Sequence, residues 1–569
     1  MIDLKNTLIK YLLIMLSFCF ILAGCSPSVT DTTTSSDIGV SSNDNIITSD
    51  DSDVLDDEWD ESIDDYETDD LDESIDDEIY DEDEIFESAE EGISKIEVSN
   101  GSAPVNTDFL GINGIYHAYT YINDKYGRQY TEEQAQMEFD RIAKFGVDNV
   151  RTYYNSDYAW DAQTNSWNFE SDSMKAVYRW MKEMQKRNIT IDLNAAWLLG
   201  GMYTKSSFAP WSGIYVEGDE EASIKNYTNW MIESLKQIRA HGINNVKYLI
   251  MFTEPASPIE TTLTKPVAES RDMDKHIDRW LKVTKALHEA LKKEGMRSDY
   301  LMVGPNDHKL ITNIDGSYMS PFFYHTVKES ADYMDIFSSH TYFSHSDETF
   351  DFVPDHYDLY LGERIQYVKE NTNKRFWIDE TDIRVDTDSP WHAMQWSTLL
   401  ERTMHTGVQN AIVWSLADQQ WPNNTTYNND GFVNGVQKSG ILPTLFESSL
   451  PRNSFYGTSL LTKYFGNHAT VYESYCHEYG FYSAAQIDQN KDWSMFVTNF
   501  NVEKSTVCFE FEKNIGKQTF YRHLYEVKEN YKTANATIIG VDKIITTSGD
   551  RLYDEIPASC IAVYTTVKD

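Results

Sequence analysis

The sequence is poor in the residues that would indicate a disulfide-linked or metal-dependent fold. Only 5 of its 569 residues are cysteine, which is too few to cross-link a chain of this length. Cys19 and Cys25 lie near the N-terminus, and Cys476, Cys508 and Cys560 lack the close spacing of zinc ligands. We therefore expect neither a disulfide scaffold nor a structural metal ion.

Basic residues are also scarce, since 48 Lys and Arg stand against 92 Asp and Glu and give a formal charge of −44. A nucleic-acid partner would require a basic face, so this balance argues against one. The stretch from Asp50 to Glu91 alone holds 25 acidic residues and no Lys or Arg, which leaves −44 + 25 = −19 for the rest. Its self-repulsion predicts a disordered, extended spacer, with a fluctuating helix or a calcium-binding tract as alternatives.

An apolar run near the start, Tyr11 to Leu22, follows Lys5 and Lys10 and is too short to span a membrane. It fits a secretory signal peptide. The next residues, Leu22-Ala23-Gly24-Cys25, resemble the lipobox of bacterial lipoproteins, which implies cleavage before Cys25 and lipid on that cysteine. We expect a secreted protein anchored to the outer face of the bacterial cell membrane through this lipid only. An ordinary signal peptide with an incidental cysteine is the alternative.

Further along the chain, short apolar runs rich in β-forming residues alternate with longer stretches of helical periodicity. Eight such pairs between about residues 109 and 465 predict an α/β fold, a (β/α)8 TIM barrel. A doubly wound open sheet is the alternative, but no Gly-rich nucleotide turn follows the first strand. The last hundred residues or so lack helical periodicity and predict an antiparallel β-sandwich.

These patterns divide the chain into four segments. Residues 1–24 are the predicted lipoprotein signal peptide and 25–92 the lipid-anchored acidic spacer. Residues 93–466 are the predicted barrel and 467–569 the β-sandwich. The short run 93–98 could add a strand to that sandwich.

Residues at the ends of the predicted strands carry the chemistry, because the active site of a TIM barrel lies where its strands end. Two of them, Glu254 after strand four and Glu380 after strand seven, are carboxylates that must be paired or used. A single acid at such a position commonly caps a helix, whereas two acids among other polar and aromatic groups indicate a catalytic site. The other members of the set are Arg151, Asn194, Trp197, Thr253, His340, Tyr342 and Trp414.

This set resembles the glycoside hydrolase clan A superfamily, whose acid/base Glu ends strand four, usually in Asn-Glu-Pro, and whose nucleophile ends strand seven. A barrel joined to a C-terminal sandwich is most similar to families 39, 51 and 30, and the strand ends also resemble family 5. The resemblance covers residues 93–569. It implies a retaining enzyme that cleaves β-glycosidic bonds of oligo- or polysaccharides, with Glu254 as acid/base, Glu380 as nucleophile, and no metal or organic cofactor.

The resemblance also implies roles for the remaining residues. Arg151 and Tyr342 would orient Glu380 and keep it ionised, since a cation and a hydrogen-bond donor both favour the charged form. Trp414 would stack against the sugar ring, and Asn194 would line the sugar site. His340 could bind a sugar hydroxyl or be a buried histidine whose hydrogen bonds are satisfied by the protein. Trp197 could line a further sugar subsite or serve only in ordinary packing. Thr253 departs from the pattern, because it stands where the family usually has Asn. A bridging water, a substitute group such as Asn194, or a different preferred sugar would accommodate the change.

Two other functions fit the same residues. A transglycosylase would use both glutamates but pass the glycosyl group to a second sugar. A non-catalytic surface lipoprotein that binds glycans would need neither an acid nor a nucleophile, so the presence of both favours an enzyme. All three hypotheses have a carbohydrate as the binding partner.

Overall fold

The structure is a computed structural model that describes most of the chain beyond residue 91. The described residues are 92–99, 105–106, 109–114, 130–194, 212–255, 269–307, 321–343, 354–383, 387–420, 432–433, 436–437, 440–443, 445, 448–466 and 468–568. The predicted signal peptide, Cys25, the acidic spacer up to residue 91 and Trp197 lie outside them.

The strands are numbered in chain order. The first nine are β1 (Ile93–Val98), β2 (Val105–Asn106), β3 (Phe109–Asn113), β4 (Asn149–Tyr153), β5 (Trp160–Asp161), β6 (Ser166–Trp167), β7 (Thr190–Asn194), β8 (Val246–Ile250) and β9 (Leu301–Asp307). The next six are β10 (Ile336–Phe343), β11 (Arg375–Ile383), β12 (Asn410–Val413), β13 (Gln419–Gln420), β14 (Phe432–Val433) and β15 (Val436–Gln437). The last nine are β16 (Thr470–Tyr472), β17 (Ser474–Cys476), β18 (Phe481–Ile487), β19 (Trp493–Asn499), β20 (Ser505–Phe511), β21 (Lys517–Glu526), β22 (Val541–Ser548), β23 (Arg551–Ile556) and β24 (Cys560–Thr565).

The α-helices of the described residues are likewise numbered in chain order. They are α1 (Glu132–Phe145), α2 (Asp172–Lys186), α3 (Glu220–Ala240), α4 (Glu269–Lys293), α5 (Pro321–Ser330), α6 (Pro354–Asn371), α7 (His392–Thr406) and α8 (Asn453–Tyr464). Across the described part of the chain, none of them combines the length and the apolar character needed to cross a membrane.

Local sequence explains where the first helix begins and ends. The Gln134 amide donates to Thr131 Oγ1 at 3.2 Å, and the Thr131 amide donates to Gln134 Oε1 at 2.9 Å. This reciprocal capping box satisfies two amides that have no partner within the helix. Gly146 ends the helix at a φ of 84°, a left-handed conformation that glycine adopts without steric cost. The chain therefore turns back at a defined point and enters β4.

Eight parallel strands form a closed barrel in the order β3, β4, β7, β8, β9, β10, β11 and β12, and β12 pairs with β3 to close it. The predicted (β/α)8 barrel is thus confirmed. One fully buried apolar cluster consists of barrel-strand side chains, Tyr248, Ile250, Val303, Ile336 and Trp377. Because the strands are parallel, their carboxyl ends meet at one rim, where the described residues of the predicted site lie.

The C-terminal part is a sandwich of two sheets, as predicted. A seven-stranded sheet runs in the order β2-β16-β18-β19-β24-β21-β22 and a four-stranded sheet in the order β17-β1-β20-β23. Side chains such as Met495, Phe509 and Ala562 form the buried core of the sandwich. The ladders are antiparallel except that β1 runs parallel to β20. Strand β1 therefore pairs within the sandwich although it precedes the barrel in sequence.

Barrel and sandwich belong to one compact unit and share an apolar contact. Phe465, just after α8, packs edge-on against Phe496 of β19 with ring centroids 5.2 Å apart. The Ser397 hydroxyl on α7 lies 2.6 Å from the Thr498 hydroxyl. Both ends of this contact are buried, so the sandwich supports the barrel from the side of α7 and α8.

The register between β10 and β11 changes close to the rim. Ser339 pairs with Ile378 whereas His340 pairs with Glu380, so Asp379 is an extra residue in β11. A bulge of this kind interrupts the alternation of side chains between the two faces of a strand. It lets the consecutive carboxylates of Asp379 and Glu380 both contact groups inside the barrel, which two regular strand neighbours would not do.

Candidate active site

The two predicted glutamates meet at the rim of the barrel. Glu254 lies four residues beyond the end of β8, and Glu380 lies within β11. One carboxylate oxygen of each, together with a ring nitrogen of His340, falls within 4.8 Å of the others. Both side chains are nearly buried, with Glu254 6% and Glu380 4% exposed. Two residues 126 positions apart in sequence therefore form one carboxylate pair.

Glu380 is held by a buried cation and a phenol. Arg151, which is fully buried on β4, places Nη1 2.6 Å from Glu380 Oε2. The Tyr153 hydroxyl donates to the same oxygen at 3.3 Å. Both contacts converge on one carboxylate oxygen and fix the orientation of the Glu380 side chain.

The Arg151 guanidinium is itself fixed by acceptors around it. Its Nη1 also donates to the Asp379 carbonyl at 3.0 Å and to Asn113 Oδ1 at 3.3 Å. Its Nη2 donates to Asn306 Oδ1 at 3.4 Å. These bonds compensate part of the desolvation of a buried charge and leave the cation little freedom to move away from Glu380.

Glu254 sits in a backbone conformation that is unusual for its residue type. Its φ is +44° and that of Phe252 is +68°, both in the left-handed region that non-glycine residues rarely adopt. The Glu254 amide donates to Asn306 Oδ1 at 3.0 Å. Left-handed residues persist where surrounding contacts over-determine them, so this loop is held in place from outside.

His340 bridges the two glutamates. Its Nδ1 lies 2.9 Å from Glu254 Oε1, and its Nε2 lies 3.5 Å from Glu380 Oε2. Burial alone would lower the pKa of His340, but the charge of Glu380 and the hydrogen bond to Glu254 outweigh it and raise that pKa. The ring lies between the two carboxylates and so keeps their side chains in a fixed relation.

Asn194 and Thr253 form a second polar group at the rim. Asn194 Nδ2 donates to Thr253 Oγ1 at 2.7 Å. The Tyr153 hydroxyl also hydrogen-bonds the Thr253 side chain. The short Thr253 side chain is therefore linked on one side to an amide and on the other to the phenol that contacts Glu380.

Trp414 directly follows β12 and is half-buried. Its backbone amide donates to the Thr381 carbonyl at 2.8 Å, next to Glu380 in β11. Its ring meets the ring of Tyr153 edge-on, with centroids 6.5 Å apart and planes at 78°. The indole is thereby placed next to the residues that surround Glu380.

The structure brings most of the predicted set together. Arg151, Asn194, Thr253, His340 and Trp414 join the two glutamates through the contacts above. Trp197 lies outside the described residues, and so does the side chain of Tyr342.

Two residues of the site were not predicted. Tyr153 contacts Glu380, the role predicted for Tyr342, and its place two residues after Arg151 on the same strand was a usable signal. Asn306 contacts both the Glu254 loop and Arg151. Asn306 lies near the end of β9, so its position at a strand end was a signal that could have identified it.

Glu254, His340 and Glu380 have the spacing of a group that could hold a metal ion. Their observed neighbours are instead a cation, Arg151, and a phenol, Tyr153, both directed at Glu380. Mutual hydrogen bonds and ion pairs thus account for the arrangement of these three side chains.

No family model and no curated protein matches the sequence. Solved structures do match. A family 30 subfamily 8 xylanase from Clostridium acetobutylicum is similar with a TM-score of 0.53 and 12% identity, over 83% of this chain and 99% of that one. A family 51 arabinofuranosidase from Xanthomonas axonopodis pv. citri has a TM-score of 0.57 and 12% identity, over 84% of this chain and 100% of that one. A glucosidase from Croceicoccus marinus has a TM-score of 0.53 and 12% identity, over 83% of this chain and 98% of that one.

These likenesses concern the fold, because identities of 12% carry no residue-level equivalence. The chain has the barrel and sandwich of these glycoside hydrolases. The fold implied by the resemblance to clan A is thereby confirmed.

A further buried carboxylate, Asp192, lies on β7 next to Arg151 of β4. It is fully buried, and the Asn149 amide donates to it. Burial raises the pKa of Asp192 to about 8, against the hydrogen bond from Asn149 and the charge of Arg151, which lower it. Asp192 is therefore mainly neutral at pH 7 and adds little negative charge beneath the two glutamates.

We predict that Asp192→Asn removes a pH dependence of stability. The folded state keeps a proton on Asp192 that an unfolded Asp, with a pKa of about 3.9, releases. The contribution of Asp192 to the free energy of unfolding is therefore fully present below about pH 4. It declines between about pH 4 and about pH 8, by at most about 1.4 kcal/mol per pH unit. Urea unfolding at pH 5 and pH 8 should show that the free energy of unfolding of the variant, relative to that of wild type, is higher at pH 8 than at pH 5. A constant difference, like that expected for the exposed Asp172→Asn, would contradict this assignment.

Proposed function

We propose that the protein is a retaining glycoside hydrolase that cleaves β-glycosidic bonds of oligo- or polysaccharides. The observation that carries the proposal is the meeting of Glu254 and Glu380 within 4.8 Å at the barrel rim. Retaining enzymes hold two carboxyl groups about 5 to 5.5 Å apart, whereas inverting enzymes separate them by about 6.5 to 9.5 Å to admit a water. The short separation favours direct attack by one carboxylate on the sugar.

In the first step Glu380 attacks the anomeric carbon and forms a covalent bond to it. Glu254, in its protonated form, donates a proton to the departing glycosidic oxygen as that bond breaks. The assignment follows from the surroundings, since Arg151 and Tyr153 both contact the carboxylate of Glu380 and hold it in one orientation. The carboxylate of Glu254 contacts the His340 ring, with Oε1 2.9 Å from Nδ1.

In the second step a water replaces the leaving group. Glu254, now ionised, takes a proton from this water, whose oxygen attacks the anomeric carbon and releases Glu380. The two inversions give net retention of configuration. A second sugar in place of water would give transglycosylation by the same residues, and chromatography of the products separates the two outcomes.

The remaining site residues suit the binding of a sugar ring. Trp414 offers an aromatic face beside Glu380, and apolar faces of sugars stack on such rings. Thr253 is partly exposed and offers a hydroxyl to the sugar, and the buried Asn194 amide holds that hydroxyl at 2.7 Å. Thr253 takes the place that Asn usually has in clan A, with Asn194 reaching it from the neighbouring strand.

The similar structures guide the choice of substrates for a first screen. They are named as xylanases, arabinofuranosidases and a glucosidase. Aryl xylosides, arabinofuranosides and glucosides, together with xylan, are therefore the substrates that we would assay first.

We expect Glu380→Ala to abolish turnover of the best aryl glycoside while the protein stays folded. Without the nucleophile no covalent intermediate forms, but azide can enter the vacated space and attack the same carbon. The product should be a glycosyl azide of inverted configuration, identified by NMR. Full activity of this variant would refute the nucleophile assignment.

Glu254→Ala should spare substrates with good leaving groups more than those with poor ones. A general acid contributes about 10²- to 10⁴-fold only where the departing oxygen needs a proton. Comparing dinitrophenyl and phenyl glycosides of one sugar measures the difference, and equal losses on both would argue against the acid role. Glu183→Ala is the matched control, because Glu183 lies on α2 away from the site, is buried, and pairs at 2.7 Å with Arg187, which directly follows that helix.

We also propose that the mature protein is tethered to the outer face of the bacterial membrane by lipid on Cys25. The support is the sequence Leu22-Ala23-Gly24-Cys25 after the apolar run. The acidic stretch up to Glu91 would then hold the enzyme away from the membrane surface. Substrate polymers outside the cell would be accessible to it.

Cys25→Ser should move the protein from the membrane fraction to the soluble fraction of the producing cells or their medium. Two or more acyl chains bind a bilayer stably, whereas their loss leaves no comparable anchor. Fractionation followed by immunoblotting measures the change, with Cys19→Ser as the control that should stay with the membrane. Unchanged partitioning of Cys25→Ser would contradict lipid anchoring.

A further inference from the structure

Asn306, near the end of β9, contacts groups that hold each of the two glutamates in place. Its side chain is fully buried, and its backbone has a φ of +60°, in the left-handed region that Asn tolerates better than most residues. Neither glutamate's catalytic atoms touch it, and the steps proposed above do not use it. Its contacts nevertheless reach the loop of Glu254 and the strand of Glu380.

The amide oxygen of Asn306 accepts two hydrogen bonds. One comes from the Glu254 backbone amide at 3.0 Å, and the other comes from Arg151 Nη2 at 3.4 Å. Arg151 in turn contacts Glu380 at 2.6 Å. The same oxygen is therefore bound to the backbone of one glutamate and to the cation that orients the other.

The amide nitrogen of Asn306 has a different kind of partner. It donates to Asp379 Oδ2, which also accepts from the Ser338 hydroxyl at 2.8 Å. Asp379 is the bulged residue of β11 and directly precedes Glu380. A side-chain amide has an oxygen that can accept from two donors and a nitrogen that can donate to a carboxylate. The surroundings therefore define both the residue type and the orientation of its amide.

The neighbouring residue, Asp307, is anchored to a helix. Asp307 Oδ2 lies 2.8 Å from Arg364 Nη1 on α6, and both side chains are fully buried. Asn306 itself is an extra residue in β9, because Ser338 pairs with Pro305 and Ser339 pairs with Asp307. The end of β9 is therefore held by the site on one side of this bulge and by α6 on the other, and it can act as a rigid support.

We infer that Asn306 is a positioning residue that sets the placement of Glu254 relative to Glu380. The inference rests on the proposed function, because it concerns the acid and the nucleophile of that reaction. The left-handed backbone at Phe252 and Glu254 requires an external contact to persist, and the Asn306 oxygen supplies one. Without that contact the loop can relax and withdraw the acid from the departing oxygen.

The test compares Asn306→Leu, Asn306→Ser and Asn306→Asp in the full chain. Leu and Ser remove the acceptor for the Glu254 amide, and Ser does so without adding apolar bulk. Asp keeps that acceptor, and the one for Arg151, but sets a carboxylate against Asp379. Asn245→Leu is the matched control, because the Asn245 side-chain amide also makes several hydrogen bonds, donating to two backbone carbonyls at 2.8 and 3.2 Å, but lies at the other end of β8 from Glu254.

The readout is kcat/KM for dinitrophenyl and phenyl glycosides of the sugar that wild type cleaves fastest, with unfolding measured in parallel. Asn306→Leu and Asn306→Ser should lose at least about tenfold more on the phenyl substrate than on the dinitrophenyl substrate, as expected for a misplaced acid. Asn306→Asp should restore the wild-type ratio between the substrates while kcat falls on both. Asn245→Leu should lower stability and leave the ratio unchanged.

The inference would be overturned if a folded Leu or Ser variant lost kcat/KM equally on both substrates. It would also be overturned if Asn245→Leu lost as much more on the phenyl substrate as the Asn306 variants do. Either result would leave the proposed function intact, provided that Glu380→Ala is inactive. Wild type that cleaves none of the glycosides, or Glu380→Ala that cleaves them as wild type does, would instead remove the proposed function and this inference with it.

Discussion

The ion pair between Arg151 and Glu380, 2.6 Å long and buried in the mouth of the barrel, is the interaction on which the rest of the site depends. Removing two charges from water costs several kcal/mol for each, which the attraction between them offsets only when the remaining hydrogen-bonding groups are satisfied. Here the Asp379 carbonyl, Asn113 and Asn306 accept from the guanidinium. The buried charge therefore dictates polar residues at the ends of several strands, and these same residues form the site.

The architecture supplies the rigidity that such a pair needs. The apolar barrel cluster around Tyr248 and Trp377 packs the barrel strands together. The polar groups come from different strands and meet at the rim because parallel strands end on the same side. The sandwich packs against α7 and α8 and so supports the barrel from outside without contributing to the described site.

Much of this was predictable, and the exceptions have different causes. The period of 3.6 in helices and the apolar runs of buried strands are local properties, so the eight units and the positions of Glu254, Arg151 and His340 could be predicted. Tyr153 was overlooked although its spacing from Arg151 placed it on the same face. The bulge at Asp379 left no local signal, because it arises from a change of register between two strands.

The sequence by itself determined which elements form, in what order, and which residue types stand near the rim of the barrel. Only the tertiary structure decided which atoms meet: that Tyr153 contacts Glu380, and that one amide, Asn306, joins the supports of both glutamates. The reason is physical. Propensity and periodicity act over a few residues, whereas left-handed backbones, bulges and buried hydrogen bonds are set by neighbours that are distant in the chain and adjacent in space.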